Sequence, residues 1–201
     1  MSFAPQTGAA PPIYGLILAG GRSTRMQRDK ATLVYAGKTQ LDRAFGLLQR
    51  HVEKVYVSVR SDQAMEGSRA EKPLIIDSLD GGGPIVGIRS ALAQVPEVAW
   101  LVLACDLPFL SDSSLTHLLA ARDHTLLATA YRSAHDDLPE PLCAIWEPAA
   151  AAALEAYQDG GGRCPRKFLM RHAAKLLAPI DPTALDNVNT PEEYSLALDR
   201  M

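Results

Sequence analysis

Leu18-Ala19-Gly20-Gly21-Arg22-Ser23-Thr24-Arg25-Met26-Gln27-Arg28-Asp29-Lys30 follows directly on the apolar run Ile13 to Leu18, which has the length and content of a buried strand. Two glycines immediately after a strand let the backbone turn sharply and approach a ligand with no Cβ in the way. Successive backbone N–H groups in such a turn can form a concave anion site. Arg25 and Lys30 add the positive charge that balances a polyphosphate. A solvated basic loop would explain a glycine pair alone; the cations placed behind the pair weigh against it.

Two look-alike patterns are set aside. The segment does not fit G-x-G-x-x-G, so it does not support a dinucleotide fold of that type. Gly37-Lys38-Thr39 has the ending of a P-loop, but position 32 is Thr where that motif needs its first Gly. It reads instead as a turn between a strand and a helix.

Outward from this loop, short apolar strands alternate with helical patterns. Leu41, Ala44, Phe45 and Leu48 have the spacing of an amphipathic helix over Thr39 to Gln49. Val55, Val57 and Val59 mark a second strand, Leu74 to Ile76 a third, and Leu101 to Ala104 a fourth. Pro84 to Ala93 reads as a helix after a triple glycine, and Ser111 can cap a helix carrying Leu115, Leu118 and Leu119. Leu126 to Ala130 and Leu142 to Trp146 are further strands. Thr190-Pro191-Glu192-Glu193 opens the last helix with a capping box and a proline at its first position. This order predicts an α/β sandwich around a mainly parallel sheet. In such sheets the ligand sits beyond the carboxyl ends of the strands. Gly20-Gly21, Asp77 and Asp106 all follow strand ends and can converge on one crevice.

Asp106, in Ala104-Cys105-Asp106-Leu107-Pro108, suits a hard cation, because Mg²⁺ is usually held by one or two carboxylates plus substrate phosphate oxygens. A turn cap is the alternative for an Asp before x-Pro. Asp77 precedes Gly81-Gly82-Gly83-Pro84, where glycines again permit close backbone approach, or form a simple loop. Asn187 and Asn189 can each donate and accept, and so fix a phosphate or a metal-bound water, or else belong to the cap of the last helix. Arg163, Arg166 and Lys167, beside Gly160-Gly161-Gly162, could close over a second, anionic substrate; a solvated helix face explains them equally well. The five histidines have no metal-ligand spacing. Cys105 reads as an inert buried thiol at a strand end.

Bulk properties bound the rest. The chain has 201 residues, 47% hydrophobic and 21% charged, which fits a single globular domain over 13–201 behind an Ala/Pro/Gly-rich tail over 1–12. The net charge of −3 provides no global basic field for nucleic acid, so phosphate binding must be local. No apolar run approaches the ~20 residues that span a bilayer. Cys105, Cys143 and Cys164 form no CxxC pair and fit a reducing compartment, which with the missing signal peptide places the chain in the cytoplasm.

Leu-Ala-Gly-Gly-x-Ser-x-Arg-Met followed by Asp-Lys, then Cys-Asp-x-Pro, then Asn-x-Asn-Thr-Pro, resembles the molybdenum cofactor guanylyltransferases of the MobA family, within the NTP-transferase superfamily. The likeness runs in order from about Ile13 to the last helix. Gly83-Pro84-Ile85-Val86-Gly87 resembles the family's Gly-Pro-Leu-Ala-Gly, and Glu140-Pro141-Leu142-Cys143-Ala144 its Pro-Leu-x-Ala segment. The resemblance implies a Rossmann-like three-layer sandwich with a mainly parallel, mixed sheet. It implies transfer of GMP from GTP to molybdopterin with release of pyrophosphate. By that likeness Leu18, Ala19, Gly20 and Gly21 would contact the nucleotide, Lys30 its phosphates, Asp77 the guanosine, and Asp106 would hold Mg²⁺. Arg25 and Lys30 would stabilise the departing pyrophosphate. Two positions depart from the pattern: Ser58 stands where members often carry an Asn near the nucleotide, and Gln27 where they usually have Gly. The implied partners are small molecules, with contact to other molybdenum cofactor proteins and none to nucleic acid or membrane. Rival readings are a cytidylyltransferase on the same pterin, whose loop tends to read Leu-Ala-Ala-Gly, a sugar-1-phosphate transferase, and a nucleotide-sensing module without turnover.

Overall fold

The expected first strand forms as β1 (Ile13–Leu18) and pairs on both sides with parallel neighbours inside a seven-stranded sheet. The computed structural model describes residues 9–21, 26, 28–78 and 83–201; Arg25, Gln27, Gly81, Gly82 and positions 1–8 of the expected tail lie outside them. After β1 come β2 (Val34–Tyr35), β3 (Lys38–Thr39), α1 (Gln40–Gln49), β4 (Val55–Val59), β5 (Leu74–Ile76), α2 (Pro84–Gln94) and β6 (Ala99–Ala104). The chain continues through α3 (Asp112–Ala120), β7 (Ala128–Arg132), β8 (Pro139–Trp146), α4 (Ala150–Asp159), α5 (Pro165–Arg171), β9 (Ala174–Leu177) and α6 (Pro191–Asp199).

The strand order is β5-β4-β1-β6-β8-β7-β9. Only β8 runs against the others in this sheet, pairing antiparallel with both β6 and β7. Parallel neighbours need long crossovers, and helices supply them. Period-two alternation sends side chains to both faces. Along β6, Trp100 and Val102 pack with Ile85 and Ile88 of α2 and Leu154 of α4. The intervening Leu101 and Leu103 pack with Leu41 and Leu48 of α1 and Leu115 and Leu118 of α3. Helices therefore cover both faces, the arrangement expected, and β6 is apolar at all six positions because neither face meets water.

A third, smaller cluster decides where the site lies. Met26, Leu33 and Tyr35 pack with Val188 and with Ala197 of α6. The Tyr194 hydroxyl donates to the Val34 carbonyl at 2.8 Å, and the Tyr35 and Tyr194 rings meet edge-on with centroids 5.2 Å apart. The C-terminal helix is thus pinned to the segment that follows the glycine loop. Its capping box forms as expected, with Thr190 accepting from Glu193 N–H and Glu193 accepting from Thr190 N–H.

Several boundaries differ from the sequence reading. β6 starts at Ala99 and β8 at Pro139, both earlier than their apolar runs, while β7 begins at Ala128, because Leu126 N–H turns back to the Asp123 carbonyl. The reading does not anticipate α4, α5, β9 or the β2–β3 ribbon. The Gly37-Lys38-Thr39 segment closes that ribbon through left-handed Ala36 (φ 47) and Gly37 (φ 79), and Thr39 then caps α1. Pro11 and Pro12 are docked: their carbonyls accept from Arg122 Nη1 at 2.8 Å and from Ala99 N–H at 2.9 Å. Among the described residues, no helix is long and apolar enough to cross a membrane.

Candidate active site

The carboxyl ends of β1, β4, β5 and β6 lie side by side, and each delivers a polar group. From β1 the chain passes through Ala19 to Gly20 and Gly21. Ala19 N–H donates to the Ser58 carbonyl at 3.0 Å, continuing the β1–β4 ladder by one step. Neither Gly20 nor Gly21 has a left-handed backbone, so the turn does not need glycine for its φ angles. The reason for Gly20 is closeness: a Cβ there would sit 3.3 Å from Asp77 Oδ2 and 3.4 Å from the Arg60 nitrogen. Among the described residues, a Cβ on Gly21 would meet nothing within 4 Å.

Asp77 continues from β5, its N–H donating to the Val59 carbonyl at 2.9 Å. Ser58 is buried, and its hydroxyl donates to Asp77 Oδ1 at 2.7 Å. Burial pushes the Asp77 carboxyl above the usual range; the Ser58 hydroxyl and the Arg60 guanidinium partly offset the effect. Gly87 on α2 makes this packing possible, since a Cβ would come within 2.3 Å of Ser58 Oγ and 2.8 Å of Leu18 Cδ2. The helix can approach the strand ends only because position 87 has no side chain.

Lys30 joins the other elements. Its Nζ donates to Asp106 Oδ2 at 2.7 Å and to Asn189 Oδ1 at 2.5 Å. The Lys30 and Asp106 side chains are 18% and 20% exposed, so both reach the crevice without being fully solvated. Two backbone contacts set this meeting. Asp29 caps the short turn that begins at Lys30, accepting from Ala31 N–H at 3.0 Å. Val188 N–H donates to the Asp106 carbonyl at 3.1 Å and brings the Asn-rich segment against the end of β6.

Leu18, Ala19, Gly20, Gly21, Ser58, Asp77, Lys30, Asp106 and Asn189 therefore gather at one end of the sheet. Asn187 is exposed. Arg166 and Lys167 lie on α5, where Arg166 donates to Asp136 at 2.9 Å and to Glu140 at 2.6 Å, while Lys167 is exposed. Arg166 is thus tied to two acids rather than lying on a merely solvated face. Burial pushes the Cys105 thiol up to about 12, with the Asp106 charge adding to it, so the thiol stays protonated and inert at neutral pH. Two arginines at the site escape the sequence reading. Arg60 Nη1 donates to the Gly20 carbonyl at 2.7 Å, and Arg69 Nη2 to the Ala19 carbonyl at 2.9 Å. They lie 40 and 50 residues along the chain from those carbonyls and in no motif, so no local signal marks them.

A family model described as a MobA-like NTP transferase domain matches residues 15–176. The chain belongs to the MobA-like NTP transferase family. It is a nucleotidyltransferase by that membership. A bifunctional molybdenum cofactor biosynthesis protein of Synechocystis is 35% identical over 183 residues, covering 91% of this chain and 53% of the relative, so the chain spans about half of that protein. The molybdenum cofactor guanylyltransferase of Rhizobium johnstonii is 34% identical, with 90% of this chain and 89% of the relative covered. The solved structure of molybdopterin-guanine dinucleotide biosynthesis protein A from Archaeoglobus fulgidus superposes with a TM-score of 0.76 at 25% identity, covering 93% and 97% of the two chains. The family span ends before Asn187 and Asn189, so the Asn189 contact with Lys30 comes from the segment beyond it.

Proposed function

We propose that this MobA-like transferase moves GMP from GTP to the terminal phosphate of molybdopterin and releases pyrophosphate, with Mg²⁺ as its metal. The observation that carries the reading is the Lys30 ammonium held between Asp106 and Asn189 at the strand ends, in a chain whose relatives are named guanylyltransferases. An oxygen of the pterin phosphate attacks the α-phosphorus. The new P–O bond forms as the bond from that phosphorus to the pyrophosphate oxygen breaks. A phosphate monoester has its second pKa near ~6 and is an ionised nucleophile at neutral pH, so no general base is called for. The work left to the protein is positioning and charge neutralisation.

Asp106 fits a metal of this kind. Mg²⁺ takes one or two carboxylates and completes its shell with phosphate oxygens and water. Lys30 engages Asp106 Oδ2, and among the described residues no hydrogen bond reaches Oδ1. Among the same residues no three His, Cys, Asp or Glu side chains form a metal cage, so Asp106 would share the ion with the triphosphate. Bound there, Mg²⁺ would neutralise phosphate charge and polarise the α-phosphoryl group. Lys30 balances the charge that builds on the pyrophosphate, and Asn189 fixes the direction of its ammonium. The sequence resemblance would give Arg25 the part of a second cation. Leu18, Ala19 and Gly20 line the nucleotide, and Asp77 stands on the guanosine side with Gly20 leaving room beside it.

A panel of GTP, CTP, ATP and UTP, with and without molybdopterin, tests the reading through pyrophosphate release. Release that needs GTP, pterin and Mg²⁺ together supports it. Preference for CTP transfers the chain to cytidylyl chemistry, release with a sugar 1-phosphate in place of pterin to the sugar transferases, and binding without release to a nucleotide sensor.

A further inference from the structure

The glycine turn is held from behind. Three successive carbonyls from the last residue of β1 onward are each taken by the protein: Leu18 by Cys105 N–H at 3.3 Å, Ala19 by Arg69 Nη2 at 2.9 Å, and Gly20 by Arg60 Nη1 at 2.7 Å. A trans peptide is planar, and its N–H points opposite to its C=O. Gripping the Ala19 carbonyl therefore turns the Gly20 N–H the other way, and gripping the Gly20 carbonyl does the same for Gly21. Among the described residues neither N–H donates to the protein. Both donors face away from the gripped carbonyls, a direction in which they can meet a ligand.

Arg69 does more than hold one carbonyl. The same guanidinium forks onto Asp29, with Nη1 donating to Oδ2 and Nη2 to Oδ1 at 2.9 Å. Asp29 in turn caps the turn from which Lys30 reaches Asp106 and Asn189. Arg69 is only 3% exposed, so it cannot itself touch a nucleotide. It links the glycine turn, through Ala19, to the Lys30 turn, through Asp29.

We propose that Arg69 is a positioning residue that sets the triphosphate-binding geometry of this loop, through the Ala19 carbonyl at one end and the Asp29 carboxylate at the other. The inference rests on the reading of the glycine turn and Lys30 as the triphosphate site. A planar fork can hold both partners at once, and a lysine, with one point of charge, cannot reproduce that geometry.

The test compares GTP with guanosine, which lacks the phosphates, by calorimetry on the full chain and on Arg69→Ala and Arg69→Lys. The wild type binds GTP more tightly than guanosine. Arg69→Ala loses about tenfold or more of that ratio, with guanosine affinity kept within about twofold; Arg69→Lys also falls, by several-fold. A purely structural role lowers the melting temperature without moving the ratio, so an unchanged ratio in folded Arg69→Ala overturns the proposal. Equal weakening toward both ligands overturns it as well, because the effect is then not on the phosphates. Should Arg69→Ala fail to fold, Arg69→Lys decides: a wild-type ratio there shows that charge suffices and removes the fork. If the wild type itself binds GTP no tighter than guanosine, the triphosphate reading of the loop falls and the inference with it, an outcome distinct from a failure seen only in the variants.

Discussion

The two halves of the sheet treat their charges differently. At the ends of β5, β4, β1 and β6, charged groups are brought together with accessible space around them: Lys30 sits with Asp106, and Asp77 with Ser58 beside Gly20. Around β8, β7 and β9, the charges are consumed internally. Arg122 clamps Glu147 through two contacts of 2.7 Å, with Glu147 1% exposed, and Arg166 is shared between Asp136 and Glu140. Charge in the second half ties the chain together; in the first half Arg60 and Arg69 do the same for the glycine turn, while Lys30 and Asp106 stay partly exposed at the strand ends. The all-parallel run of strands explains the division, since parallel strands aim their loops at one crevice.

The largest effect is expected from Asp106→Asn. It keeps the shape and one hydrogen-bond acceptor but removes the metal-binding charge. Turnover by pyrophosphate release should fall on the order of a thousandfold while the melting curve stays close to wild type. Near-normal activity would place Asp106 with the structural charges of the other half. Arg122→Ala is its counterpart. It leaves Glu147 buried without its partner and should cost about 3–5 kcal/mol of stability in denaturant, with the KM for GTP of the folded fraction unchanged. A stability loss below about 1 kcal/mol would mean that the pair is no more than a surface contact.

Lys30→Ala sharpens the same contrast at the active end. A charge-assisted contact is worth about 1.5–3 kcal/mol, so GTP affinity should drop roughly ten- to a hundredfold in calorimetry. Unchanged affinity and rate would leave Lys30 with a structural role at the strand ends. The smallest effect expected is from Gly87→Ala. A Cβ 2.3 Å from Ser58 Oγ must push something aside, and overpacking of this kind costs about 1–3 kcal/mol. The loss should appear in thermal stability together with weaker GTP binding, because Ser58 holds Asp77. Stability lost without any change in GTP binding would detach Ser58 and Asp77 from the nucleotide.

Much of this was legible in the chain. β1, α1, β4, β5 and α2 show in apolar periodicity, and the last helix in its capping box, because each is specified by neighbours in sequence. The gathering of Gly20, Asp77 and Asp106 follows from strand ends alone. The Asn189 contact with Lys30 spans 159 residues, and motif order hints at it without stating it. Arg60 and Arg69 are invisible to such reasoning, since an arginine in an irregular polar segment carries no sign that its guanidinium folds back on a carbonyl 40 or 50 residues earlier. α4 hides in the alanine run 149–153, where no alternation marks a face. β9 is a half-buried four-residue edge with Lys175 inside it, too short and too mixed for periodicity to reveal. The acidic partners of Arg166 are hidden for a different reason: a basic residue after glycines looks the same in sequence whether or not a pair of acids lies beside it.

In the proposed reaction the α-phosphoryl group of GTP moves to the pterin at the Lys30–Asp106 site. Incubating the protein with Mg²⁺, molybdopterin and GTP labelled at the α-phosphate, then separating the products, follows that group directly. The account predicts label in a pterin–guanine dinucleotide in one-to-one ratio with unlabelled pyrophosphate, and neither product from Asp106→Asn. Label left in free GMP, or a dinucleotide formed equally well from labelled CTP, would contradict it.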